Sequence, residues 1–153
     1  MKPWKIVALA ILAIPIVSLA TCFIPYDWRE ALVIEVETPD GVKTGRSVVL
    51  VSHTIEAIVP GSPGGAVHTS LRGEATTVEV APGKYLFALL QGRENLAVKA
   101  FPEIVAGKDF KQFAKAFANL REKRDLPTAL IPMLVTFRDI NDPKTVERVD
   151  PNN

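Results

Sequence analysis

An uncharged apolar segment of 19 residues lies near the start of the chain, at residues 6–24, directly after the basic residues Lys2 and Lys5. A helix rises about 1.5 Å per residue, so this segment would reach roughly the thickness of the hydrocarbon core of a bilayer. It therefore predicts a signal or anchor segment over residues 1–25, which leaves residues 26–153 to form one exported domain.

The charges on either side of this segment predict its orientation. Lys2, Lys5 and the amino terminus precede it, whereas Asp27, Arg29 and Glu30 follow it. Positively charged flanks stay preferentially in the cytoplasm. We therefore expect a membrane-anchored protein with its C-terminal domain outside the cytosol, which in a bacterium is the periplasm.

Cys22 is the only cysteine, so the exported domain has no internal disulfide and depends on an apolar core. The sequence Leu-Ala-Thr-Cys at residues 19–22 resembles the bacterial lipobox, whose cysteine is lipidated and becomes the new N-terminus. Cys22 is thus a lipidation candidate. Thr21 replaces the usual Gly, Ala or Ser, and Phe23 and Ile24 prolong the apolar run. We therefore favour a retained single-pass helix and keep lipidation as the alternative.

The charge balance of the remaining chain argues against a nucleic-acid partner. Of 18 basic residues, Lys2 and Lys5 belong to the N-terminal segment, which leaves 16 against 17 acidic residues and a net charge of −1. A nucleic-acid-binding domain normally carries a clear excess of basic residues. We therefore predict no nucleic-acid partner.

Beyond residue 31 the hydrophobic pattern changes to a period of two, which is typical of half-buried strands. Residues 32–37 alternate in this way, and the sequence Thr-Pro-Asp-Gly at residues 38–41 predicts a turn into a second β-branched run. That run begins at residue 47 and extends toward residue 59. Further strands are predicted over residues 72–80, 85–90, 133–137 and 145–149, with a turn at residues 81–84.

One stretch, residues 109–124, has helical spacing, because Phe110, Phe113, Phe117 and Leu120 share one face. Asp109, with a glutamine three positions later, predicts a capping box at its start. Residues 108–124 hold six basic and two acidic residues. We expect the phenylalanine stripe to pack on a sheet, and the alternative is contact with an anionic membrane surface.

Together these patterns predict a mainly β fold of the α+β class. It is a small antiparallel β-sandwich-like domain with one amphipathic helix, preceded by an N-terminal membrane helix. The stretches IEVETPDGVKTGRSVVLV and VEVAPGKYLFALL resemble transthyretin-like and immunoglobulin-type sandwich modules. The tail LVTFRDINDPKTVERVDP, with the leader and the first turn, resembles a family of small uncharacterised proteobacterial membrane or lipoprotein-like envelope proteins. This second resemblance implies a compartment and a domain extent, but no activity.

His53 and His68 are the only histidines, and they flank the glycine- and proline-rich residues 60–65. If that segment closes a hairpin the two rings could approach each other, which makes them weak ligand or metal candidates. A zinc site needs further donors, for which Glu56 or Glu74 would have to be recruited. We expect instead one surface histidine and one strand-edge histidine. No catalytic residue, metal site or cofactor is predicted.

The sequence favours a membrane-anchored envelope protein with a non-enzymatic role, either structural or in binding another envelope protein. One alternative is a small hydrolase or metal-dependent enzyme centred on His53 and His68. Another is an envelope ligand-binding module with a concave sheet face and residues 60–65 as its lid.

Overall fold

The computed structural model describes residues 26–55 and 67–151. The N-terminal apolar segment with Cys22 and the predicted loop at residues 60–65 lie outside these ranges, so the expectations about them stay predictions. Within the described residues no helix is long and apolar enough to cross a membrane.

Seven strands in the described residues form two antiparallel sheets, which confirms the prediction of a mainly β fold. The first sheet has the order β1 (Tyr26–Thr38), β2 (Gly41–Ile55), β3 (Val67–Arg72). The second has the order β4 (Thr76–Ala81), β5 (Lys84–Ala88), β6 (Leu134–Phe137), β7 (Val146–Val149).

Both hairpin turns predicted from the sequence are confirmed. Gly41 closes the turn between β1 and β2 with φ +106°, and Gly83 closes the turn between β4 and β5 with φ +71°. Positive φ is strained for residues that carry a Cβ, which is why glycine is needed at both positions. The Gly83 N–H also donates a hydrogen bond to Glu79 Oε1 at 3.0 Å.

The strand predicted over residues 72–80 is divided between the two sheets. Strand β3 ends at Arg72, where it pairs with Leu50 of β2, and β4 begins at Thr76, which is fully buried. The Thr76 hydroxyl lies 2.6 Å from the Ser47 hydroxyl of β2. The chain therefore leaves the first sheet and crosses to the second within residues 72–80, which the sequence pattern predicts to be one continuous strand.

The described residues form three short α-helices, of which the third is the predicted amphipathic helix: α1 (Leu96–Ala100), α2 (Pro102–Val105) and α3 (Phe110–Asn119). Two 3₁₀ helices follow, at Thr128–Leu130 and Pro143–Thr145. The capping box at the start of α3 is confirmed, since Asp109 Oδ1 accepts a hydrogen bond from the Gln112 N–H at 2.8 Å. Helix α3 ends before the predicted residue 124, and α1 and α2 are too short to show a helical period.

The core consists of two apolar clusters. The first lies between the first sheet and the helices, where α3 packs its phenylalanine stripe against β1 as predicted; its members are Trp28, Val49, Val51, Ala100, Phe101, Ala114 and Phe117. The second contains residues of both sheets and of α1; its members are Leu32, Val78, Leu86, Ala88, Leu96 and Leu134. Each strand of the first sheet thus has one face turned to the core and one turned outward.

Candidate functional site

His53 lies on the inward face of β2 and is only 3% exposed. Its ring stacks on Trp28, with the ring centroids 4.6 Å apart and the planes 25° apart, and it meets the edge of Phe110 of α3 at 5.2 Å. Its Nδ1 lies 2.9 Å from the Thr69 hydroxyl on β3. His53 is therefore one member of the aromatic packing between the first sheet and α3.

Burial lowers the pKa of His53, and the negative charge of Asp27 opposes that shift. The neutral imidazole is thus favoured in the folded protein. Its Nε2 is buried and has no hydrogen-bond partner. A buried nitrogen enclosed by aromatic rings has no access to a substrate, so this position supports packing rather than chemistry.

His68 lies on β3 and is exposed. Because His53 pairs with Thr69 while His68 pairs with Thr54, the two histidines point to opposite faces of the first sheet. The β2–β3 hairpin does form, but its register does not bring the two rings together. Among the described residues, no group of three or more His, Cys, Asp or Glu side chains is placed to hold a metal ion.

A buried ion pair joins the first sheet to the segment that precedes α1. Arg93 is 0% exposed, and its Nε lies 3.8 Å from Oε1 of Glu30 on the inward face of β1. Arg93 Nη1 also donates to the Ser47 hydroxyl at 3.1 Å, and that hydroxyl contacts Thr76 of β4. The pair therefore connects β1, β2, β4 and the residue-93 segment through side chains.

This pair is held in an environment that disfavours both charges. Burial raises the pKa of Glu30, and the positive charge of Arg93 opposes that rise. Burial likewise lowers the pKa of Arg93, opposed by Glu30. Arg93 Nε and Nη2 and Glu30 Oε1 also have no hydrogen-bond partners. This pair was not predicted from the sequence. The alternation of residues along β1 could have indicated it, because a period of two puts Glu30 on the same inward face as Trp28 and Leu32.

The outward face of the first sheet carries four neighbouring apolar residues, which we call the outer patch: Ala31 and Val33 of β1 with Val48 and Leu50 of β2. Ala31 pairs with Val48 across the strands. Val33 and Val48 are each 45% exposed, Ala31 is exposed and Leu50 is half-buried. The outer patch is thus continuous across two strands and open to solvent.

Charged residues surround the outer patch in an ordered way. Leu50 pairs with Arg29 on one side and Arg72 on the other, and Val33 pairs with Arg46. Further along the same face of β1 come Glu35 and Glu37, both exposed. The apolar centre is therefore bordered by Arg29 and Arg72 at its Leu50 end, and by Arg46 and then the two glutamates beyond Val33.

A depression of about 530 Å³ adjoins Val48 at the edge of this face. Its lining includes Arg46, Ser47, Gly73, Glu74 and Thr77. The outer patch therefore lies next to a concave region with charges of both signs.

A larger groove of about 930 Å³ lies on the second sheet, beside the 3₁₀ helix Thr128–Leu130. Apolar side chains such as Leu96, Ile131 and Leu134 line it, together with the cationic residues Lys99 and Arg148. Neither histidine takes part in this groove. It is a further concave surface on the described part of the chain.

The fold and these surfaces define a mainly antiparallel β protein with helices on one face of its first sheet and an apolar patch on the other. No protein-family model matches this chain, and no curated protein or solved structure does either. Its function is therefore inferred from its own residues.

Proposed function

We propose that this protein is a membrane-anchored envelope protein whose sandwich-like domain has a non-enzymatic role and binds another envelope protein through the outer patch. The apolar segment at residues 6–24 supports the anchor. The observation that carries the binding role is the group of exposed apolar side chains on the outward face of the first sheet, with charges around it.

Single exposed valines are common and need no explanation. The outer patch differs because its four side chains are neighbours on two paired strands and are bordered by Arg29, Arg46 and Arg72. An apolar centre with a polar, charged rim is the usual anatomy of a protein–protein interface. A lipid-facing surface would not combine these arginines with Glu35 on the same face.

The charges also indicate the chemistry of the partner. Arg29 and Arg72 flank the Leu50 end of the outer patch, and Arg46, followed by Glu35 and Glu37, lies at its Val33 end. A complementary protein surface would present an apolar centre, carboxylates toward the arginines and basic groups toward the glutamates. We therefore take the partner to be a folded envelope protein with an acidic-edged apolar patch.

The anchor is tested by the mass of the mature protein isolated from membranes. An uncut chain in the membrane fraction establishes a spanning anchor, and cleavage before Cys22 with an added diacylglycerol establishes a lipoprotein. Either result supports the anchored state. Recovery of a cleaved, unmodified domain in the soluble fraction contradicts it.

The binding role is tested by placing charge in the outer patch. We expect the double substitution Val33→Asp and Val48→Asp to abolish a complex seen by native electrophoresis of gently solubilised membranes, because two carboxylates would be buried at the interface. Val146→Asp is the matched control, since Val146 is a strand valine on β7 that is 48% exposed. Equal migration of the double variant and the wild type would contradict the proposal.

The groove on the second sheet favours a second candidate function, binding of an anionic amphiphile with its chain against Leu96 and Leu134 and its head near Lys99 and Arg148. Neither His53 nor His68 lines it. A fatty acid should then raise the melting temperature of the wild type but not of Lys99→Glu, Arg148→Glu. The enzyme centred on His53 and His68 stays a prediction that their placement does not support.

A further inference from the structure

Helix α3 has two faces of different character. Its aromatic face, with Phe110, Phe113 and Phe117, packs toward the first sheet. On the opposite side lie Lys111 and Lys115, both exposed. Lys108, also exposed, directly precedes the N-cap residue Asp109. We call Lys108, Lys111 and Lys115 the basic face.

Among the described residues no ion pair neutralises the basic face, and the carboxylate of the adjacent Asp109 caps the helix instead. The ten residues of α3 include no Asp or Glu, and in the described part of the chain Lys111 and Lys115 form no ion pair. Lys108 donates a hydrogen bond from its ammonium group to the Ile104 carbonyl oxygen at 2.8 Å, which holds it against the end of α2. By contrast Arg124, further along, is paired with Glu103 at 2.7 Å.

Helix α3 begins beside the point where the chain leaves the apolar segment. The ring of Tyr26, the first residue of β1, meets the edge of Phe110, the first residue of α3, with centroids 5.3 Å apart. Only Pro25 separates Tyr26 from Ile24, the last residue of the apolar segment. Since ten helical residues span about 15 Å, the whole of α3 lies close to Tyr26, with which the described chain begins.

We propose that the basic face docks on anionic phospholipid headgroups of the leaflet from which the anchor emerges. This inference rests on the anchor of the proposed function and adds a second membrane contact to it. Lysines near an anionic surface each strengthen binding by about fivefold, and a tether that already holds the helix at the surface removes the cost of association.

Docking in this way also orients the domain. Helix α3 covers the inward face of the first sheet, whereas Val33 and Val48 lie on the outward face. With the basic face on the lipid, the outer patch therefore points away from the membrane, toward soluble or neighbouring envelope proteins.

The test uses the full chain reconstituted into vesicles of phosphatidylcholine alone or of phosphatidylcholine and phosphatidylglycerol in equal amounts. The rate of lysine acylation is measured at each position by peptide mass spectrometry. We expect Lys111 and Lys115 to react about fivefold or more slowly in the anionic vesicles, and high salt to remove this protection. The exposed Lys84 and Lys144 serve as internal controls and should react equally in both.

Substitutions sharpen the test. In Lys111→Glu, Lys115→Glu the protection of Lys108 should disappear, whereas in Lys84→Glu, Lys144→Glu the protection of the basic face should remain. If the chain co-floats with both vesicles but its basic-face lysines react at the same rate in each, the docking is refuted and the anchor stands. If the chain does not co-float with either, the anchor and the docking both fail.

Discussion

At the scale of single residues, Glu30 and Arg93 are the most strongly constrained, because each needs the opposite charge of the other in the core. Both charges are taken out of water, and their attraction offsets that cost only while both are present. Because Arg93 also donates to Ser47, the pair links strands that belong to different sheets. We therefore expect the two residues to be strongly coupled in stability.

Replacing Glu30 by Leu alone should lower the free energy of unfolding by about 3–5 kcal/mol, because it leaves the Arg93 guanidinium buried without a counter-charge. The double variant Glu30→Leu, Arg93→Met should lose clearly less than the sum of the two single variants. Denaturant unfolding of all four proteins measures this coupling. Additive losses would show that the two charges do not interact.

The pH dependence of the free energy of unfolding should show that burial keeps His53 neutral in the folded protein. Burial holds its pKa in the folded protein below the ordinary value of 6.5, so the unfolded chain takes up the proton first as the pH falls. The stabilisation from the neutral ring is therefore present above about pH 6.5 and is lost as the pH falls through the folded-state pKa.

We expect the free energy of unfolding of the wild type to fall relative to that of His53→Leu between about pH 7.5 and about pH 5. Denaturant titrations of both proteins at several pH values measure this difference. Subtracting one free energy of unfolding from the other cancels the contributions of groups that titrate alike in both proteins. A difference that stays constant across this range would show that His53 is not kept neutral by its burial.

At the scale of elements, the close approach of β2 and β4 depends on Gly45. A Cβ at this position would collide with the Thr77 carbonyl oxygen and with a methyl group of Val78. Backbone cannot move aside as a flexible side chain can, so the two strands would have to separate. Gly45 is thus the point at which the first sheet can lie against the second.

Gly45→Ala should lower the free energy of unfolding by about 1–3 kcal/mol, because the added methyl group overpacks this contact. Thr44→Ala is the control, since Thr44 is the exposed neighbour on the same strand and should cost about 0.5 kcal/mol or less. Thermal unfolding of the two variants compares them directly. An alanine at residue 45 that is as stable as the wild type would mean that the sheets are not in contact there.

The elements that could be predicted from the sequence are those defined by local chemistry. The turns at Gly41 and Gly83 and the capping box at Asp109 depend on residues a few positions apart. The division between β3 and β4 and the short helices α1 and α2 depend instead on which sheet each segment can join. Arg93 could not be recognised as buried, because its partner Glu30 lies far away in the sequence.

At the scale of the whole molecule, the two proposals assign different sides of the first sheet to different contacts. The side on which α3 packs carries the basic face and lies close to Tyr26, the first described residue, and the outward side carries the outer patch. If the basic face rests on the membrane, the domain would present the outer patch to its partner in one orientation only. The proposed binding role therefore depends on the outer patch.

The most direct test is site-specific photocrosslinking of the full chain in intact cells, with a photoreactive amino acid at residue 33, 48 or 146. We expect residues 33 and 48 to give one and the same discrete adduct, and residue 146, a valine of similar exposure on the second sheet, to give none. Adducts of the same mass and yield from all three positions, or none from residues 33 and 48, would contradict the outer patch as the binding surface.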